Sequence, residues 1–348
     1  MKQHPENPTT NQLAAGLSEA DLSAAVEKSG YPLQTIVADL LRSKQWGVQE
    51  EWSYIDRDTK ELRTIDILAE KRLFDYKQGQ PRVRPTLDLL IECKQSVMPY
   101  VFFLSPAKPL LFDFPSIAGL ANQSVTITSD DDPSSWTLSI LHALGLERHP
   151  FFQIPEYCTT FSKCVRKGSD VELSGSESFH GLIMPTLKSL HHFQVAQMPP
   201  ETAWYFDAHL AIGIGVLDAP MVSVRPSASS SDLTLVPWIR VLRHEYLENL
   251  ESWDRSKLFA LDVVHKDFLE EYLEKHLLPF AEKFAELVIK HQHILATGEA
   301  FVSGMGKDSW DDIEPRLERR KLIAKISRSK ALGRNIFRLI TRQKTLDD

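Results

Sequence analysis

The run Leu87-Asp88-Leu89-Leu90-Ile91-Glu92-Cys93-Lys94 constrains this chain more than any other segment. It is almost continuously apolar, so a strand built from it must be covered on both sides, as the central strand of a helix-flanked sheet is. Glu92 and Lys94 close the run. They stand two residues apart, and side chains alternate along a strand, so both point to one face. A charge pair at the end of a buried strand is costly without a partner or a function.

The surrounding pattern supplies the rest of a mixed α/β domain. Ser18 and Asp21 form a capping-box-like start to a helix that runs to about Lys28, and Ser29-Gly30 breaks it. Pro32 suits the first turn of a second helix, with Leu33, Ile36, Val37, Leu40 and Leu41 on one face. Val48, Glu50, Trp52 and Tyr54 alternate with Gln49, Glu51 and Ser53, which predicts a strand with one bulky face. Asp56 to Lys60 reads as a hairpin turn, and Leu62 to Ala69 as the returning strand, with Leu62, Thr64, Asp66 and Leu68 on one side. Tyr100 to Leu104 is a further apolar strand. Ser129 to Ser135 reads as a loop leading into a helix over Trp136–Leu144. Glu177 to Phe193 is helical with Pro185 at a kink. Strands are expected over Phe206–Val216, Met221–Val224, Leu233–Leu242 and Leu258–Val264, and a long helix bent near Pro279 from Asp267 to about His293.

Composition narrows the class. No apolar stretch reaches the length of a membrane span; the longest, His209 to Val224, is interrupted by glycines, an aspartate and Pro220. The opening MKQHPENPTTNQ lacks a hydrophobic signal core, so a soluble, cytoplasmic protein is expected. Cys93, Cys158 and Cys164 are too few and too irregular for a disulfide framework or a zinc site. The net charge of −7 argues against a protein that coats nucleic acid indiscriminately. From Arg316 to Lys344, however, eleven Lys and Arg face one acid, Glu318, a balance of +10 that leaves −17 for the remainder. Such asymmetry marks a basic segment suited to phosphate, a membrane surface or an acidic partner. Gly333 interrupts its amphipathic stripe, and a docking helix for a partner protein or a second copy fits it as well as a nucleic-acid contact.

Hydrolysing a phosphodiester needs a divalent cation to neutralise phosphate charge and lower the pKa of water, with a group to orient that water. Mg²⁺ prefers carboxylate oxygens and keeps several waters, so two carboxylates and a lysine suffice. The segments TIDILAE and LLIECKQS supply Asp66, Glu92 and Lys94. This is the only Glu-x-Lys in the chain. The Asp-x-Lys matches at Asp58 and Asp75 fall in polar turns. A buried ion pair bracing two strands is the competing explanation for Asp66 and Lys94.

The order helix, strand, turn, strand with Asp66, strand with Glu92-Cys93-Lys94 and apolar PYVFF strand resembles the PD-(D/E)xK nuclease superfamily over about residues 29 to 105. The resemblance implies a restriction-endonuclease-like α/β fold, a mixed central sheet flanked by helices, here with an enlarged C-terminal part. The domain would span residues 16–295, with its core at 29–105 and an extension at 106–295, between a disordered lead (1–15) and a basic amphipathic tail (296–348). It implies Mg²⁺-dependent cleavage, with Mn²⁺ able to substitute, of DNA or sometimes RNA, in restriction, phage defence or repair. Asp66, Glu92 and the Cys93 backbone carbonyl would hold the metal, Lys94 would position the water, and Gln95 would line the site. Many members carry a glutamate on the preceding helix where this chain has Gln34, which puts a second metal in question; Glu27 or Asp39 are weaker substitutes. In the tail, Arg319, Arg320, Lys321, Lys325 and Arg328 would meet the nucleic-acid backbone. A catalytically silent module of the same fold, binding nucleic acid or a partner protein, is the alternative reading.

Other signals are bland. Gly213-x-Gly215 lacks a third glycine and fits a closely packed strand better than a nucleotide loop. His191-His192, His291 and His293 lack matched ligands, His244-Glu245 lacks a second histidine, Asp218 reads as a turn residue, and Arg166 to Asp170 as a basic surface turn.

Overall fold

The computed structural model describes residues 1–106, 108–111, 114–132, 134–226, 231–246, 256–304 and 313–319. Its strands are β1 (Gly47–Ile55), β2 (Leu62–Arg72), β3 (Val83–Gln95), β4 (Tyr100–Leu104), β5 (Ser116–Ala118), β6 (Ser124–Ser129), β7 (Ser135–Ser139), β8 (Tyr157–Lys167), β9 (Asp170–Ser174), β10 (Phe206–Asp218), β11 (Met221–Pro226), β12 (Ser231–Leu235), β13 (Trp238–Tyr246), β14 (Ser256–His265), β15 (Glu299–Val302) and β16 (Glu318–Arg319). Ten of them follow one another across a large mixed sheet in the order β1-β2-β3-β10-β14-β13-β8-β4-β11-β12, with β5 beside β10 and β9 beside β8. A second sheet has the order β16-β15-β6-β7. The protein is mixed α/β, with helices on both sides of the large sheet. Among the described residues no helix is long and apolar enough to cross a membrane.

Strand β3 is central, as its apolar run requires. It pairs antiparallel with β2 and, along its whole length, parallel with β10. Leu87, Leu89, Ile91 and Cys93 join the main core, which also takes in Leu33, Val37 and Leu41 from the helix Tyr31–Ser43 and Phe280 and Phe284 from the helix Leu278–Lys290. On the other face, Leu90 packs with Leu190 and Phe193 of the helix Met184–Ala196. Gly213 and Gly215 of β10 allow that second helical layer to approach. A Cβ at Gly213 would stand 2.4 Å from Thr186 Cγ2, and one at Gly215 would stand 2.7 Å from Leu182 Cδ1. These glycines are strand packing residues. Asp88, a charge within the apolar run, is satisfied where it lies: its Oδ2 is 2.9 Å from His209 Nδ1 and accepts from Thr86 Oγ1 at 3.1 Å.

The β1–β2 hairpin departs from simple alternation. Val48 packs against the main core and Glu50 pairs with Arg42 on that side, whereas Trp52 and Tyr54 meet Phe193 or His192 on the opposite side. On β2, Ile67 and Ala69 belong to the main core but Ile65 joins Tyr54, Leu68 and Leu90 on the other face. The single bulky face expected of Val48, Glu50, Trp52 and Tyr54 is therefore split. Both strands change face at one register position, Glu51 opposite Asp66, and Glu51 has a left-handed backbone (φ 52°).

Several expectations need correction. Strand β4 (the PYVFF segment) forms, but it lies far from β3 in the sheet, between β8 and β11; β10 takes the place beside β3 because thirteen mostly apolar residues there match its length. Trp136 begins no helix: it lies in β7, and only Ile140–Ala143 is helical after it. Arg166 to Asp170 is an exposed turn, as expected, at the tight end of a β8–β9 hairpin and turned at Gly168 (φ 64°). The folded body continues past residue 295, because Ala300, Val302, Ile313 and Leu317 are buried in the main core. Of the residues assigned to a nucleic-acid contact, Arg319 lies exposed on β16, and Arg320, Lys321, Lys325 and Arg328 lie outside the described residues. Residues 1–15 contain turns and no buried side chain.

Away from the β3 region, Arg240 of β13 and Asp262 of β14 form a wholly buried pair, with Nε–Oδ1 at 2.7 Å and Nη2–Oδ2 at 2.8 Å. The guanidinium lies 4.3 Å from the Phe151 ring centroid and 4.5 Å from that of Phe114, and it donates to the Phe151 carbonyl. Tyr272 donates to Asp262 at 2.7 Å. The dehydration of two ions is offset by this complete set of partners, so losing one partner is worse than losing both. Asp262→Ala is expected to destabilise the fold by about 3–5 kcal/mol in urea titrations, and Arg240→Met with Asp262→Leu by less than that single change. A double variant less stable than Asp262→Ala would refute this account.

Candidate functional site

The hairpin that carries Asp66 is set by its turn. Asp56, almost fully buried, accepts from the Asp58 N–H at 2.9 Å and pairs with Arg63 Nε at 3.2 Å. Asp58 in the same turn pairs with Lys188, a buried lysine on the helix Met184–Ala196. The turn is thereby fastened to the helical layer, and the register of β2 follows.

The β2–β3 ladder ends at Ile67 opposite Ile91. One residue further, Asp66 lies in the fork where β2 leaves β3. Its Oδ2 accepts the Cys93 N–H at 2.7 Å, taking the place of a ladder carbonyl. In a strand, the N–H and C=O of one residue point toward the same neighbour, so the Cys93 carbonyl also opens on this fork. Gln34, 6% exposed, donates from Nε2 to the Asp66 carbonyl at 3.1 Å. Backbone and side chain of Asp66 are thus held by different elements. Gln34 is a positioning residue whose amide is spent on that bond.

Glu92 and Lys94 share the face opposite the main core, as their spacing requires. Lys94 Nζ donates to Glu92 Oε1 at 2.5 Å. Its stem runs past the helical turn Phe179–Ile183, where a Cβ on Gly181 would be 3.7 Å from Lys94 Cε. Glu92 is 6% exposed and its second oxygen, Oε2, is buried with no hydrogen-bond partner. Gln95 follows Lys94 by one residue, so alternation turns it to the other face, and it is exposed. It stands outside the cluster, contrary to expectation. Asp39 is also elsewhere, paired with Arg42 at 3.2 Å, and the helix Glu19–Lys28, which carries Glu27, buries nothing.

The electrostatics follow from burial. Dehydration raises the Asp66 carboxyl, offset in part by the Cys93 N–H and the Lys94 charge. Glu92 is pushed up to about 7, first by burial and then by the negative charge of Asp66, against the opposing pull of Lys94. Burial alone would lower Lys94, but Glu92 and Asp66 outweigh it and hold the ammonium above its ordinary range. Burial pushes the Cys93 thiol well up, so it is a packing residue rather than a nucleophile. Two carboxylates and one ammonium leave a net negative charge in a poorly hydrated place, with an oxygen of Glu92 unused. A divalent cation would remedy both defects, and the oxygen donors suit a hard ion. Among the described residues no group of three or more His, Cys, Asp or Glu is arranged so that it could hold a metal ion.

A cleft of about 680 Å³ opens at the carboxyl ends of β3, β10 and β14, between Ser96, Asp218, His265, Lys266 and Asp267. Lys266 Nζ is 3.0 Å from Asp218 Oδ1. Its lining starts at Ser96, two residues beyond Lys94, and includes none of Asp66, Glu92 and Lys94.

Pattern reading missed Glu51. The hairpin itself contained the clue, because reflecting Asp66 through the turn between Asp58 and Thr59 lands on Glu51. Gly181 and Lys188 gave no comparable signal, since their roles depend on a helix distant in sequence. No family model, curated protein or solved structure matches this chain.

The raised Glu92 carboxyl makes metal-free stability depend on pH. Below 4.5, the ordinary value, folded and unfolded chains both hold the proton. As pH rises toward 7 the unfolded chain releases its proton first, and folding loses free energy until the folded carboxyl also ionises. In chelator, the wild type is expected to lose on the order of 2–3 kcal/mol more than Glu92→Gln between these limits. Urea midpoints measured across that range test it; parallel pH profiles would disprove it.

Proposed function

We propose that this protein is a divalent-metal-dependent nuclease of the restriction-endonuclease-like kind, hydrolysing phosphodiester bonds in nucleic acid, with DNA as the favoured substrate. The observation that carries the reading is the meeting of Asp66, Glu92 and Lys94 in the β2–β3 fork, with a buried Glu92 oxygen lacking any partner. A buried ion pair bracing two strands would need no such spare oxygen. It would also be satisfied internally, as Arg240 and Asp262 are.

Asp66, Glu92 and the Cys93 carbonyl would hold Mg²⁺, or Mn²⁺ in its place. When bound, the ion supplies charge neutralisation at phosphate and a lowered pKa for water. Asp66 is preset for this by two hydrogen bonds, so its carboxylate need not reorganise on binding. Lys94 would turn its ammonium from Glu92 toward the phosphate oxygens and the attacking water, holding the water in line and stabilising charge that grows in the transition state. Its raised pKa keeps it protonated throughout. The basic segment from Arg316 to Lys344 would add sequence-independent, salt-sensitive affinity for the backbone.

The test is cleavage of plasmid, linear duplex, single-stranded DNA and RNA with Mg²⁺, Mn²⁺ or chelator. Cleavage that requires metal is expected, and Asp66→Asn, Glu92→Gln and Lys94→Met should each slow it by about 10²-fold or more. Undiminished cleavage by these variants would remove the site assignment. Metal binding without cleavage of any substrate would instead favour a catalytically silent module that binds nucleic acid or a partner protein.

A further inference from the structure

Glu51 occupies an unusual position in β1. Its neighbours Glu50 and Trp52 pair with Ile67 and Ile65, which places Glu51 opposite Asp66, yet no ladder pair joins these two. Its φ of 52° lies in the left-handed region, where a side chain other than glycine strains the backbone. The hairpin changes face at this step, because Glu50 turns to Arg42 and Trp52 to Phe193. The strained residue is thus an acid that stands opposite the acid in the fork. Strain of this kind concentrates at functional sites.

Among the described residues no cation pairs with Glu51. Glu51 is exposed and stands opposite Asp66 across the hairpin, and its charge disfavours ionisation of both Asp66 and Glu92. Placing a third acid there is unfavourable in the metal-free protein. The independent pointer to a ligand is Glu92 itself, more than nine-tenths buried, with Oε2 unpartnered.

We propose that Glu51 is the third acidic group of the cation centre formed by Asp66 and Glu92, acting through a metal-bound water. The inference rests on reading that centre as a metal site. The carboxylates are not arranged as a three-acid cage, which is why the contact is assigned to water rather than to the ion. Glu51 would add negative charge on the solvent side of the fork and accept hydrogen bonds from the ion's water. The left-handed backbone at this strand position would fix it there.

Mn²⁺ binding to the full chain, followed by titration calorimetry without nucleic acid, tests this. Outer carboxylates that hold metal-bound groups change affinity by about 10- to 100-fold, so Glu51→Gln is expected to weaken Mn²⁺ by about tenfold or more. Glu50→Gln is the control, because that neighbour is committed to Arg42 on the other face; it should bind Mn²⁺ as the wild type does. Thermal melting in chelator adds a readout apart from binding: Glu51→Gln should be at least as stable as the wild type, since it relieves repulsion. Wild-type affinity in Glu51→Gln, with binding lost in Asp66→Asn and Glu92→Gln, would overturn the role of Glu51 and leave the metal centre standing. Equal weakening by Glu50→Gln and Glu51→Gln would reduce the effect to net charge and also overturn it. A wild-type chain that fails to bind Mn²⁺ would remove the metal centre and this proposal together.

Discussion

The hydrogen bond from the Cys93 N–H to the Asp66 carboxylate holds the place where the sheet opens. Short of that point β2 and β3 share an ordinary ladder; beyond it they part. A backbone donor in the fork would otherwise be stranded, since buried N–H groups are rarely left unpaired. Using a carboxylate as acceptor anchors one acid, directs the Cys93 carbonyl into the fork and leaves Glu92 beside it. The bond from Gln34 to the Asp66 carbonyl ties this arrangement to the helix Tyr31–Ser43. The candidate centre therefore depends on a helix, a hairpin and a central strand meeting at one residue.

The protein treats its two buried charge clusters differently. Each side-chain nitrogen of Arg240 and each carboxylate oxygen of Asp262 has a hydrogen-bond partner, in each other, in Tyr157 and Tyr272 and in a backbone carbonyl, within a shell of aromatic rings. Such a cluster is closed to further ligands. Around Glu92 the balance is negative, one oxygen is spare, and the carboxyl is held near 7 because ionising it is unfavourable. Under the proposed reading, free energy withheld from folding in this way would be available to cation binding, which would restore what burial removed. The contrast separates a cluster closed on itself from one with an oxygen to spare more clearly than any count of charged residues.

Much of this was legible along the chain. The apolar run of β3 demanded a covered central strand, and the two-residue spacing of Glu92 and Lys94 put them on one face. Ser18 and Asp21 announced a helix start, and Asp56 to Lys60 a hairpin. Strand β10 was visible from its apolar length, and the glycines within it were legible as packing positions. The partner of β3 was not visible. Choosing β10 over the nearer β4 required matching thirteen positions across more than a hundred intervening residues, and no local pattern encodes that. The face of Gln95 was misjudged, although period two already placed it away from Lys94.

By itself the sequence determined which residues must be buried, which strand must be central and which acids and lysine could share a face, because hydrophobic periodicity is a local property. Tertiary structure alone decided how those groups meet. The change of face at Glu51 and Asp66 arises from one left-handed residue and from two helical layers pulling neighbouring side chains to opposite sides of the hairpin. Strict alternation cannot express such a reversal, since it depends on what packs above and below the strand rather than on the order of residues within it.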